Sequence, residues 1–314
     1  MHSGYPEKVK LEKTLCPNGC PDNDELVLVG RDRIHNVLGD FNIVKCKSCG
    51  LQRTNPRPTA GTIGVYYPDN YAPYLVVDKS PLIKRGAVKK IIISLLGLDA
   101  RKIPPIAPGE MLELGCASGS FMEEMGNQGW HVQGIEFSDS AAEVARKKGF
   151  TVQTSSLENA QKPNQFLDVI VAWMVLEHLH APVQVLSRLR YWIKPDGYLV
   201  ASVPDANSLA KKFFKARCYD LHLPNHLYHY TPKTLEVILN NSGWKLERVV
   251  WQKNCMTLLS SAEYWAKDFN HIRMLRLIQW LKSSPSAAYI RLVLGWILGV
   301  TRQSGRIEIW ARPK

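Results

Sequence analysis

From residue 109 onward, short apolar runs alternate with segments of helical period. The runs EMLELG, WHVQGIEF, FTVQT, FLDVIVAWM and YLVASVP have strand length, while SDSAAEVARKKG and VQVLSRLRYWI repeat their apolar residues three and four positions apart. Strands alternating with helices predict an α/β fold, a sheet of βαβ units with helices on both faces. The helix punctuation agrees. Ser138 or Asp139 can cap a helix that ends at Gly149, and Thr231 followed by Pro232 opens one that ends near Gly243. Pro195-Asp196-Gly197 predicts a turn leading into YLVASVP. After KLERVVWQ, residues 255–303 are helical in pattern, with cations interleaved among Trp, Leu and Ile, and GRIEIWARP at 305–313 alternates like a strand.

The first third of the chain reads differently. Residues 1–58 hold four of the seven cysteines and end in the turn-rich TNPRPTAG, which predicts a small module followed by a linker. Residues 59–107 carry the aromatic segment YYPDNYAPY, a basic amphipathic stretch and the proline cluster IPPIAPG, and are expected to form a helical connector. The domain plan is therefore a module at 1–58, a connector at 59–107, a core at 108–254, a helical insertion at 255–303 and a last strand at 304–314. No internal repeat or low-complexity segment is visible.

Charge and cysteine usage narrow the picture. A net charge of +12 points to an anionic partner, which could be nucleic acid, an acidic lipid surface or a charged substrate. The N-terminal residues lack an apolar core of signal-peptide length, and no run, YIRLVLGWILGV included, reaches the roughly 18 to 20 apolar residues of a membrane span. A cytoplasmic protein is expected. The basic amphipathic helices at 79–102 and 262–300 give three readings: packing on the protein itself, peripheral contact with an acidic membrane, or a cover over a lipid-like acceptor. In a reducing compartment, clustered cysteines point to metal or catalysis rather than to a disulfide framework.

The stretch MLELGCASGSF carries the first chemistry. A strand ending at Leu114 runs into Gly115, Cys116, Ala117, Ser118 and Gly119, a turn without bulk whose N–H groups can meet a ligand at the start of the next helix. It is not a dinucleotide fingerprint, because Ala117 and Ser120 stand where glycines are required. Glu113 would repel a pyrophosphate and favour a ligand bearing an ammonium or sulfonium group. Glu136, 17 residues after Gly119 at the end of the next strand, is placed to accept both hydroxyls of a ribose. Cys16 and Cys20, with Cys46 and Cys49 and the following Gly50, form two close pairs that can complete a tetrahedral thiolate site for a structural Zn²⁺ ion.

Residues 109 to about 250 resemble a class I S-adenosylmethionine-dependent methyltransferase in the ordered blocks ELGCASGSF, GIEFSDSA, FLDVIVAWMVLEHL, LRYWIKPDGYLVASVP and HLPNHLYHYTPKTLEVILNNSGW. The resemblance implies a Rossmann-like seven-stranded sheet with an antiparallel last strand, for which GRIEIWARP is placed. It implies S-adenosylmethionine as cofactor, with Cys116 to Gly119 around the methionine part and Glu136 and Phe137 at the ribose. Ser156 and Leu157 would flank the adenine, and Ala172, Trp173 and Met174 would line the sulfonium side. Ala117 departs from the glycine of many members.

The cysteine set resembles the zinc head of some bacterial methyltransferases of sugar and polysaccharide biosynthesis. In the ubiquinone O-methyltransferase group, the residue matching His178 faces the acceptor, where an imidazole can act as general base; the other reading is that His178 only holds the strand end to a carbonyl. His226 matches the most regular histidine of its segment and is the second candidate, while His222 and His229 are expected at the surface or in packing. The related deoxysugar C-methyltransferases carry Tyr-His-Glu-His where this chain has Leu223, Pro224, Asn225 and His226. The expected reaction is O-methylation of a sugar, polysaccharide precursor or lipid-linked small molecule. The alternatives are a C-methylating relative and a nucleic-acid methyltransferase that grips RNA through the zinc module. The absence of an arginine-rich run and of an Asn-Pro-Pro-aromatic motif argues against the last.

Overall fold

A computed structural model describes residues 4–67 and 101–314. The helix expected at 79–102 lies, but for its last two residues, outside the described residues. Five short strands occupy the first 58 residues: β1 (Leu11–Glu12), β2 (Asp24–Arg31), β3 (Asp40–Cys46), β4 (Gln52–Thr54) and β5 (Arg57–Pro58). β2, β3 and β4 form an antiparallel meander, and β5 returns to pair with β1. The segment TNPRPTAG, expected to be a linker, thus contains strand residues on both sides of its first proline.

The core follows as β6 (Glu110–Leu114), α1 (Ser120–Gly126), β7 (His131–Glu136), α2 (Asp139–Lys147), β8 (Thr151–Thr154), β9 (Leu167–Trp173), α3 (Pro182–Leu189), β10 (Ile193–Pro204) and α4 (Leu209–Phe214). Then come β11 (Tyr228–His229), α5 (Pro232–Asn241), β12 (Trp244–Trp251), the helices α6 (Met256–Asp268), α7 (Ile272–Ser283) and α8 (Ala288–Val300), and β13 (Arg306–Pro313). Seven strands share one sheet in the order β12-β13-β10-β9-β6-β7-β8, and β13 runs antiparallel to both neighbours. This is the Rossmann-like seven-stranded arrangement expected.

Alternate side chains explain the layering. Leu112, Leu114, Ile170 and Ala172 face a cluster with Val185, Leu186, Leu235 and Ile238 of α3 and α5. Met111, Val169, Val171 and Val200 face Phe121, Met122 and Ala142 of α1 and α2 on the other side. Ser138 caps α2 through the Ala141 N–H, and Thr231 closes a capping box on α5. Pro195-Asp196-Gly197 is not a free turn before a strand. It is a register shift within the long β10, where a side chain at Gly197 would meet the Asp168 carbonyl oxygen at 2.9 Å.

The boundary drawn at residue 58 is crossed by backbone pairing. β11 from the core is the fourth strand of the N-terminal sheet, with Tyr228 opposite Arg53 and His229 opposite Gln52. The Thr54 N–H donates to the Leu227 carbonyl (2.9 Å), and Cys16, Cys46 and Leu51 pack in the same cluster as Leu227 and Tyr228. The N-terminal sheet therefore gets an edge strand and part of its apolar core from the larger domain.

Candidate functional site

Parallel register sets the carboxyl ends of the central strands in a row. Leu114 lies beside Ile135 on one side and Ala172 on the other, and Trp173 lies beside Ser202. Ligands of open α/β sheets bind at this edge. The loop after β6 turns through left-handed backbone at Gly115 (φ 65°), Ala117 (φ 47°) and Gly119 (φ 74°). A Cβ at Gly115 would meet Val175 Cγ2 at 2.9 Å, and one at Gly119 would meet the Ala145 Cβ at 2.9 Å, so both glycines are required by close packing. Ala117 accepts the same backbone with a methyl group. Cys116 points inward, against Gly134, where a Cβ would meet its Sγ at 2.5 Å; only its backbone is available to a ligand.

Two buried acids flank this loop. Glu136 accepts from the Ala117 N–H and the Ser138 N–H, each at 2.8 Å and each on a different carboxylate oxygen. Burial raises its pKa against the pull of these N–H groups, and each oxygen keeps a lone pair for a further donor. Glu113 is 3% exposed, and its Oε2 has no hydrogen-bond partner among the described residues. Burial pushes its carboxyl up to about 8, with Arg101 opposing and Glu136 reinforcing. An orphaned buried acid beside a glycine cradle fits a ligand with an ammonium or sulfonium group, and the second acid fits a diol. Of the other expected contacts, Phe137 is exposed, Leu157, Ala172 and Trp173 are buried, and Ser156 and Met174 are half-buried, Met174 with φ 59°.

Val175, which seats on Gly115, leads into a 3-10 turn at Leu176–His178. Half-buried His178 sits with Nδ1 at 2.9 Å from the Asn225 carbonyl oxygen and 2.8 Å from Tyr67 Oη. A carbonyl can only accept, so Nδ1 carries the proton and Nε2 is the basic nitrogen. Burial draws this imidazole down to about 4, so it is neutral at ordinary pH. The carbonyl-holding contact and the basic Nε2 belong to the same tautomer, so the two readings of His178 are compatible.

The rings of His178 and His226 are 4.7 Å apart and perpendicular, and His222 lies 4.9 Å from His226. Of the two readings for His222 and His229, packing describes both, His222 half-buried and His229 buried. His222 packs into this ring cluster, and His229 is buried with Nε2 3.4 Å from Thr54 Oγ1.

Sequence reasoning missed Glu177 and Tyr67. Glu177 is fully buried, its two oxygens lack hydrogen-bond partners among the described residues, and Oε1 lies 3.9 Å from His226 Nε2. Burial raises its pKa to about 8. The signal was an acid directly beside His178 just after a strand; nothing in the chain order pointed to Tyr67. Glu177, His178 and His226 offer one ligand atom each within 4.8 Å of one another, as do Cys16, Cys20, Cys46 and Cys49. The cysteine set stands on two turns whose glycines, Gly19 (φ 71°) and Gly50 (φ 79°), take left-handed backbone. Asn18 Nδ2 lies 3.5 Å from Cys49 Sγ. Burial pushes the Cys46 thiol up, but the N–H groups of Cys49 and Ser48 together with the Cys49 and Cys20 side chains outweigh this and bring it to about 7. Four convergent thiols with amide support fit zinc.

The family model described as a methyltransferase domain matches residues 89–249, half of the chain. The chain belongs to the methyltransferase-domain family. Its sheet order and acid-flanked loop are those of the class I S-adenosylmethionine-dependent methyltransferases. Among curated relatives, it is 29% identical over 157 residues to a ubiquinone biosynthesis O-methyltransferase of Saccharophagus degradans, covering 46% of this chain and 66% of that protein. It is 31% identical over 112 residues to one of Thiobacillus denitrificans, covering 33% and 48%. The chain spans between about half and two thirds of the length of these relatives. A solved S-adenosylmethionine-dependent methyltransferase of Mesorhizobium loti superposes with a TM-score of 0.45 at 17% identity, over 72% of this chain and 98% of that one. One of Archaeoglobus fulgidus gives 0.45 at 18%, over 73% and 94%.

Proposed function

We propose that this methyltransferase methylates a hydroxyl oxygen of a sugar, a polysaccharide precursor or a lipid-linked small molecule. The observation that carries the reading is the seating of Val175 on Gly115, which joins the acid-flanked loop to the turn bearing His178. The O-methyltransferase relatives support oxygen as the acceptor atom.

Glu113 and Glu136 would hold the cofactor, which when bound supplies an electrophilic methyl group. Its orphan oxygen suits Glu113 to a cationic centre, and Glu136 stays anchored by two N–H groups while accepting hydroxyls. His178 takes the proton of the acceptor hydroxyl on Nε2, while Asn225 and Tyr67 fix the ring through Nδ1. Holding the acceptor oxygen in line supplies several kcal/mol more. His226, whose Nδ1 is bound to the Asp220 carbonyl at 2.8 Å, aims Nε2 at Glu177 and acts as a positioning residue.

The four cysteines would hold one structural zinc. A peripheral membrane contact draws support from the segment 269–307, which has arginines and lysines but no acid, and from the exposure of Ile272, Leu277, Trp280, Tyr289 and Trp296 within it. Among the described residues no helix is long and apolar enough to cross a membrane.

The test supplies methyl-labelled S-adenosylmethionine with separate lipid, sugar-nucleotide and RNA fractions. Alkali-stable label in lipid or sugar is the expected result, and label in RNA alone would overturn the reading.

A further inference from the structure

A cleft of about 280 Å³ opens at the seam between the N-terminal sheet and the core, lined by Val27, Leu28, Gln52, Ala206, Lys211 and Lys215. Lys211 is 8% exposed, and its ammonium group has no hydrogen-bond partner among the described residues. Gln52, in the same cleft, has a buried Oε1 that is also unpartnered among the described residues. An unpaired buried ammonium costs several kcal/mol unless something compensates it. Burial lowers the Lys211 amine to about 8, opposed by the Cys218 thiol, and no acid among the described residues pairs with it. Lys215, on the rim, adds an exposed second cation.

The walls come from elements that also build the candidate active site. Gln52 is paired with His229, and the Ala206 N–H donates to the Tyr230 carbonyl (2.8 Å) two residues after β10 ends at the ligand-binding edge of the sheet. Two cations beside a lone acceptor call for a ligand with an oxyanion next to a hydroxyl donor. Of common metabolite groups, a phosphorylated polyol has both.

We propose that this cleft binds the phosphate of a phosphorylated sugar, with Lys211 and Lys215 on the phosphate oxygens and Gln52 Oε1 accepting from a sugar hydroxyl. That this ligand is part of the methyl acceptor rests on the methyltransferase reading; the binding site itself does not.

The test is calorimetric titration of the whole protein with glucose 1-phosphate, inorganic phosphate and glucose as probes, before and after the substitutions Lys211→Met and Gln52→Leu. Glucose 1-phosphate should bind wild type and weaken by about tenfold or more in Lys211→Met, as expected for losing one charge-assisted hydrogen bond. Gln52→Leu should erase the preference for glucose 1-phosphate over inorganic phosphate. Because Lys211→Met removes an unpaired buried charge, its melting temperature should equal or exceed that of wild type. A drop would mean that the amine serves the fold and would sink the proposal. In parallel, glucose 1-phosphate should protect Lys211 from reductive methylation, read by mass spectrometry without any variant. No saturable heat with millimolar glucose 1-phosphate, or equal affinity in Lys211→Met, would also overturn the site. S-adenosylmethionine titrated into the same samples separates the two claims. Sugar-phosphate binding without cofactor binding leaves the cleft standing and removes the methyl-transfer reading; cofactor binding without sugar phosphate does the reverse.

Discussion

The two clusters of ligand-capable side chains are built in opposite ways. Cys16, Cys20, Cys46 and Cys49 stand on two local turns, each with a left-handed glycine, and two of the four thiols are half-buried near the surface. Glu177, His178 and His226 come from segments nearly fifty residues apart and sit where burial keeps the acid protonated and the imidazoles neutral. Four thiolates leave a metal no open position, so the first set suits a structural ion. The second keeps nitrogens whose tautomers are set by carbonyls, an arrangement suited to taking a proton. Convergence of metal-capable residues therefore says little about role; what each cluster does with its remaining valence says more.

The largest test of this contrast is loss of the proposed zinc. Structural thiolate sites contribute on the order of 10 kcal/mol to folding, so Cys46→Ser or chelation should collapse the N-terminal sheet. Because β11 and the Leu227 and Tyr228 side chains are shared, calorimetry should show one lowered transition that includes the core. Two transitions, with the core unchanged, would show that the module is energetically separate.

His178→Ala should lower turnover by about 10²- to 10⁴-fold, the usual contribution of a general base, with cofactor affinity within about twofold of wild type. His226→Ala should cost less. With its pKa near 4, His178 stays competent through mildly acidic pH, so the rate profile should lack an acid limb at the ordinary histidine value of 6.5. A limb near that value that vanished in His178→Ala would contradict the placement of the base in a dry cluster.

Glu136→Ala should weaken S-adenosylmethionine binding by about 1.5 to 3 kcal/mol, roughly 10- to 100-fold, through lost charge-assisted bonds to the ribose. An unchanged dissociation constant would remove Glu136 from the site.

The smallest effect is a proton. Glu113 is raised from 4.5 to about 8, so the folded state holds a proton that the unfolded state has lost between those values, and its contribution to stability falls as pH rises through that window. A cationic ligand beside it favours the carboxylate. Cofactor binding near neutral pH should then release a fraction of a proton, seen as a binding enthalpy that varies with the ionisation heat of the buffer. Proton uptake, or no dependence on buffer, would count against Glu113 facing the cation.

Much of the core was legible because its information is local. Polarity period gave the strands, Ser138 and Thr231 marked the helix starts, and the glycines and acids at 113–136 sit within one βαβ unit, where spacing along the chain fixes spacing in space. The cysteine knuckles were legible for the same reason. The turn at 195–197 misled, because Pro-Asp-Gly favours a reversal in isolation, while pairing with β9 at Ile193 before it and from Tyr198 after it absorbs these residues as an irregularity within one strand.

The sequence by itself determined the fold class, the glycine turn after β6 and the clustering of the four thiols, since each depends on residues close enough for backbone geometry to bring them together. Only the tertiary structure decided that the N-terminal sheet borrows β11, that Tyr67 and Asn225 fix His178, and that the Glu177 carboxyl and the Lys211 ammonium are buried without a hydrogen-bond partner among the described residues. Those facts depend on which distant surfaces pack and which polar groups lose water in the process. Desolvation is a property of the assembled volume, and no window of the chain contains it.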